Sequence, residues 1–161
     1  MQMAKDTALV TWAERLRTVN PARKVTVDGV ERPALLACEN ERPELRATAG
    51  VYWVSWGKVG AAGPGTQGLH AMACEITYAS SGTEQMHGCD RGRELTRMDA
   101  ELRALLHPAT VAKVDYSQEP PVEAHTSITW SGPQLAEAEQ DGAVLRRTAQ
   151  LVLYFYPEEG A

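Results

Sequence analysis

The chain has 161 residues, 43% hydrophobic and 23% charged, which suits one domain of about 100 to 200 residues with a real core. Its net charge of −5 excludes a dedicated DNA-binding surface, which needs clustered Lys and Arg, and no apolar run approaches the roughly 20 residues that span a bilayer. Cys38, Cys74 and Cys89 are odd in number, widely spaced and free of any CxxC pair, so reduced cytosolic thiols are expected rather than a disulfide framework.

Leu9, Trp12, Ala13, Leu16 and Val19 recur at helical spacing, which predicts a first helix over Asp6–Val19. Asp6 or Thr7 supplies the expected cap, and Asn20-Pro21 ends the element. Val25 and Val27 alternate up to the turn pair Asp28-Gly29, Val30 follows, and Ala34–Glu39 reads as another short strand. The charged run Glu39–Arg46, broken by Pro43, predicts an exposed loop.

Val51–Gly57 is rich in β-branched and aromatic residues and predicts a strand. Lys58–Gly68 contains Gly60, Gly63, Gly65 and Gly68 and reads as a flexible arm between strands. His70–Ser80 then alternates, with Met72, Cys74, Ile76 and Tyr78 on one face. After the turn Ser80-Ser81-Gly82, a second helix begins near Thr83 or Asp90. Its apolar stripe is Leu95, Met98, Leu102, Leu105 and Leu106. Its solvent face is expected to carry Arg91, Arg93, Glu94, Arg97, Asp99, Glu101 and Arg103, up to a stop at His107-Pro108.

A short apolar piece at Val111–Val114 leads to a break at Pro120-Pro121. Thr126–Trp130 and Leu145–Tyr156 are predicted strands, joined by a polar, acidic loop over Gly132–Gly142 with Glu137, Glu139 and Asp141. The expected fold class is α+β: a single domain over residues 1–161 with a mixed or antiparallel sheet. Two main helices pack on one sheet face, and residues 58–68 form a long glycine-rich hairpin arm.

No chemical motif outweighs its structural explanation. Gly63-Pro64-Gly65-Thr66-Gln67-Gly68 fits G-x-G-x-x-G, but a strand pattern follows it and Pro64 removes a backbone donor. His87, Cys89 and Asp90 lack a second cluster at zinc spacing. His70 and His125 stand singly on strands, and His107 suits a helix C-terminus. Ser80-Ser81-Gly82 is a turn and not a nucleophile elbow. Glu137, Glu139 and Asp141 have no apolar setting to raise a pKa. The expectation is no catalytic residue, no metal and no cofactor.

Two features ask for partners. The segment Lys58–Gly68 exceeds the two to five residues a hairpin needs, and the last strand is apolar or aromatic on both faces, Leu151, Leu153 and Phe155 against Val152, Tyr154 and Tyr156. Four Trp and five Tyr against one Phe also favour half-buried faces and interfaces.

The starting helix Asp6–Val19, the strand His70–Ser80, the helix Asp90–His107, Thr126–Trp130, the acidic loop and Leu145–Tyr156 ending LVLYFYPE together form a pattern covering most of the chain. That pattern resembles the tail terminator proteins of tailed phages and related contractile injection systems. The resemblance implies a non-enzymatic subunit that forms a hexameric ring on the tail tube, ends its polymerisation and presents a surface to the head or neck. It implies partners in further copies of the chain, in the tube protein, and in sheath and neck or connector proteins. It implies no membrane and no sequence-specific nucleic acid, and a place in a virion or injection particle assembled in a bacterial cytoplasm. Lys58, Val59, Tyr154 and Tyr156 are the expected contact residues. The alternatives are another neck or head–tail connector subunit, and a monomeric ligand-binding domain using Trp53, Trp56 and Trp130 around a pocket.

Overall fold

A computed structural model of the chain describes residues 1–39 and 48–158, so the predicted loop lies outside the described residues beyond Glu39. Helix α1 (Gln2–Val19) buries Ala4, Ala8, Trp12 and Leu16, one residue per turn along a single stripe. It starts four residues before the expected cap. Asp6 and Thr7 lie inside it, where Asp6 accepts from Gln2 Nε2 at 2.8 Å and Thr7 Oγ1 donates to the Met3 carbonyl at 2.7 Å. The reason is that the buried stripe begins at Ala4, and polar side chains that can cap can also bond back within a helix. Asn20 ends the helix as expected, its N–H donating to the Leu16 carbonyl at 2.8 Å.

β1 (Lys24–Val27) and β2 (Val30–Pro33) form a separate antiparallel hairpin. Asp28 and Gly29 at the turn have φ of 50° and 80°, which matches the right-handed twist of the strands. The main sheet is mixed, with eight strands. Its path runs from β3 (Leu35–Ala37) through β4 (Tyr52–Ala61), β5 (His70–Ser80), β10 (Val144–Phe155) and β7 (Val122–Trp130) to β6 (Thr110–Asp115). Among the described residues, only β3 and β4 pair in parallel. The α+β class read from the sequence therefore holds.

The predicted polar loop over Gly132–Gly142 contains two short strands. β8 (Gln134–Leu135) and β9 (Glu139–Asp141) pair with β10 below β7, so β10 is lined along most of its length on that side and by β5 on the other. Sequence polarity hid these strands because a sheet edge facing water needs no apolar alternation. Strand pairing also continues into the segment read as an arm: Val59, Gly60 and Ala61 pair with Met72, Ala71 and His70, leaving residues 62–69 as the connection.

The sheet curls around α1, which packs against strands at both ends of it, β3 and β6. Trp12, Leu16, Met72, Ile76, Tyr78, Leu153, Phe155 and Trp130 join one core with Leu95, Met98, Leu102 and Leu105 of α2 (Arg91–Leu105). A smaller cluster of Ala34, Leu36, Val51 and Trp53 lies apart from it, with Val25 and Val27 of the hairpin against it.

Candidate functional site

Strand alternation and register place the four expected contact residues. Lys58 sits at an irregularity where the β4–β5 register shifts between Trp56 and Val59, and its side chain is exposed. Val59 shares a row with Met72 and Leu153, on the core side of the sheet, and is 37% exposed. Tyr154 shares a row with Ala71 and Gly60, on the outer side. Tyr156 follows two residues later and is 43% exposed, with Gly68 of the β4–β5 connection beside its ring. The outer side thus gathers Tyr154 and Tyr156, while Val59 turns the other way.

The outer side of the central strands holds a shallow trough of about 420 Å³. Small residues form its floor, Gly57 and Ala73, and Ser55, Glu75, Gln134 and Gln150 line it. A Cβ on Gly57 would lie 3.0 Å from the Ala73 carbonyl oxygen, so the close approach of β4 to β5 there needs glycine. Val152 and Tyr154 stay half-buried and Ala73 exposed on this side. The opposite face of β10 is closed, with Ala149, Leu151, Leu153 and Phe155 all buried.

The three tryptophans of the ligand-binding alternative do not share a pocket. Trp56 and Trp130 both lean on Trp12, at 6.2 Å and 5.7 Å between ring centroids, while Trp53 belongs to the separate cluster on the outer side of the sheet, in a row with Thr77. Register decides this, because Trp53 and Trp56 are an odd number apart and point to opposite faces.

Buried polar groups are absorbed by structure. Glu101 accepts hydrogen bonds from Asn20 Nδ2 at 2.7 Å, from the Arg23 guanidinium and from Tyr52 Oη at 3.0 Å. Burial opposes its charge, but the bonds from Arg23 and Asn20 outweigh it and hold the carboxyl below the usual range. Asp99 accepts from Tyr78 Oη at 2.5 Å and lies 2.9 Å from Arg147 Nε. That last contact is an off-line ion pair rather than a well-formed hydrogen bond, because Nε has no aligned acceptor. Burial and the bond to Asp99 push the Tyr78 hydroxyl far above its ordinary pKa. Asp99 and Glu101 were expected on the solvent face of α2; both are buried, since Arg23 just before β1 and Arg147 on β10 draw them inward.

The motifs weighed in the sequence fall in separate places. Gly63–Gly68 lies in the connection before β5 and no helix follows it. Asp90 spends both carboxylate oxygens on Thr83, at 2.8 Å to the N–H and 2.8 Å to the hydroxyl, which holds the His87–Cys89 loop. His70 stacks edge-on against Phe155 at 5.8 Å. Among the described residues no group of three His, Cys, Asp or Glu side chains is placed to hold a metal ion. No helix among them is long and apolar enough to cross a membrane.

One buried group had no signal in the sequence. Lys113 of β6 is 2% exposed, and its Nζ donates to the Tyr156 carbonyl at 2.6 Å. Burial lowers its pKa. It ties the end of β10 to the far edge of the sheet. A lysine in a short apolar strand gives no hint of that until the strand ends are brought together.

Comparison with the models of known protein families gives no match, and comparison with curated proteins gives none.

Proposed function

We propose that the chain is a structural subunit of a phage-type tail or related injection particle. In this reading, copies close into a ring, a hexamer by the resemblance, on the end of the tail tube. One ring face matches the last tube layer and the other does not repeat it, so growth stops and a head- or neck-proximal surface is left. The chain acts without catalysis, metal or cofactor, and works in a virion or particle assembled in a bacterial cytoplasm.

The observation that carries the reading is the outer side of the central sheet. A face meant only for water would be polar, yet this one gathers Ala71, Ala73, Val152, Tyr154 and Tyr156 beside the exposed Lys58. Aromatic residues on an open sheet face suit a protein partner, since they supply contact area at small entropic cost. The glycine-rich end of the β4–β5 hairpin reaches the neighbouring subunit, and the two helices stay behind the sheet as its packed side.

Imaging tails assembled with and without the chain tests this. Uncontrolled tube length in its absence is expected, with the protein found at the head-proximal end. An unchanged length distribution overturns the reading, and a position elsewhere in the neck favours a connector subunit.

A further inference from the structure

The tertiary structure sorts the charges of α2. Asp99 and Glu101 are 6% and 9% exposed and are held by Arg147 and Arg23, so these two carboxylates leave the solvent face while Glu94 stays on it. Arg93, Arg97 and Arg103 remain exposed there, with Thr96, Ala100 and Ala104 between them. Glu94 bonds Arg97 at 2.7 Å. Among the described residues, no carboxylate lies within ion-pair distance of Arg93 or Arg103.

A matching surface of opposite sign lies on the β8–β9 segment. Glu137, Glu139 and Asp141 are all exposed. Glu139 and Asp141 are alternate residues of β9 and share one face, and Glu137 lies in the connection just before it. Asp141 is paired with Arg146 at 2.9 Å, and no cation lies within ion-pair distance of Glu137 or Glu139 among the described residues.

We infer that the arginine stripe of α2 docks on the 137–141 segment of a second copy of this chain. The inference rests on the ring reading above and names the contact that would close it. No ion pair joins the two patches within one subunit, so each is left for a partner. The net charge of −5 works against a polyanion as the occupant of the stripe, because the rest of the surface repels it at long range. A second copy brings the required carboxylates itself. Two different patches in contact make a heterologous interface, which closes into a ring when its rotation permits. Like other exposed charge contacts it weakens with salt.

Sedimentation velocity on the full chain, at low and high salt, tests the contact with two variants. One carries Arg93→Glu and Arg103→Glu; the other carries Glu137→Lys and Glu139→Lys. All four positions are exposed, and far-ultraviolet circular dichroism checks that each variant folds. Each variant alone should self-associate at least about tenfold more weakly, as like charges meet, and a chain carrying all four changes should regain assembly. Wild-type rings that ignore both variants overturn this contact and leave the ring reading standing. A wild-type chain that stays monomeric, alone and with tube protein, overturns both. Binding of a DNA oligonucleotide that the arginine variant loses, without self-association of the wild type, also overturns the contact and assigns the stripe to a polyanion.

Discussion

Trp12 of α1 meets Trp130 of β7 edge to face, with ring centroids 5.7 Å apart and planes at 88°, while Trp56 of β4 stacks on it at 6.2 Å. One helix side chain is therefore wedged between two strands that are separated in the sheet by β5 and β10. Trp130 Nε1 donates to the Leu106 carbonyl at 2.9 Å, so the same cluster also holds the end of α2.

Trp12→Ala should cost about 3 to 5 kcal/mol, the range for emptying a large aromatic site in a packed core. Trp12→Phe should cost clearly less, because Trp12 Nε1 is buried without a hydrogen-bond partner and its loss breaks no bond. Urea denaturation of both variants measures the difference. Equal losses would mean that the indole makes a bond not seen here.

Glu101 ties the end of α1, the Arg23 turn before β1, and β4 to α2, and its side chain is 10% exposed against 15% for Arg23. Glu101→Gln should destabilise by about 2 to 4 kcal/mol at neutral pH, since Arg23 is left without its counter-charge. The pH dependence follows from the sign of the shift. The folded pKa lies below the ordinary 4.5, so the stabilisation is whole above 4.5 and is lost as pH falls through the folded value. Thermal melts between neutral pH and pH 3 should converge for the wild type and Glu101→Gln at the acid end.

Lys113 has the opposite signature. Burial sets its folded pKa below the ordinary 10.5, so the charged form is penalised in the fold. The unfolded chain then holds more protons between the two values, and this residue's contribution to stability rises as pH climbs through that window. The stability difference between the wild type and Lys113→Met should move in favour of the wild type from pH 8 to pH 10.5. A difference that stays flat over this range would show that the ammonium reaches solvent.

The three thiols should separate under a disulfide reagent. Cys89 is exposed and should react first; Cys38 is half-buried and should follow. Cys74 is buried, and burial pushes its pKa up to about 12, so it should react only on unfolding. Mass spectrometry of the labelled native protein counts them. Early labelling of Cys74 would mean that β5 opens in the native state.

Most of the regular elements were legible because each carries its own periodicity. Leu9 to Val19 reads as a helix, His70 to Ser80 and Leu145 to Tyr156 as strands, and Asp28-Gly29 as a turn, from local spacing and steric preference alone. The start of α1 was misplaced, because Asp6 and Thr7 cap helices well in isolation but here lie inside a stripe that begins at Ala4. β8 and β9 were missed, because their pairing with β10 leaves polar side chains in water and no alternation to read.

By itself, then, the sequence determined the α+β class, the buried face of β5 with Cys74 on it, and the two alternating sets of β10 side chains, but not which of those sets the core closes over. These depend on the period of the chain and the hydrophobicity of nearby residues. Only the tertiary structure decided the partners. It drew Asp99 and Glu101 inward to arginines far along the chain, placed Trp56 and Trp130 on Trp12 with Trp53 on the opposite, outer side of the sheet, and joined Lys113 to the end of β10. The physical reason is the same in each case. A charged or amphipathic side chain is stable on a wet surface or in a paired interior, and which of these it meets depends on residues that no local window contains.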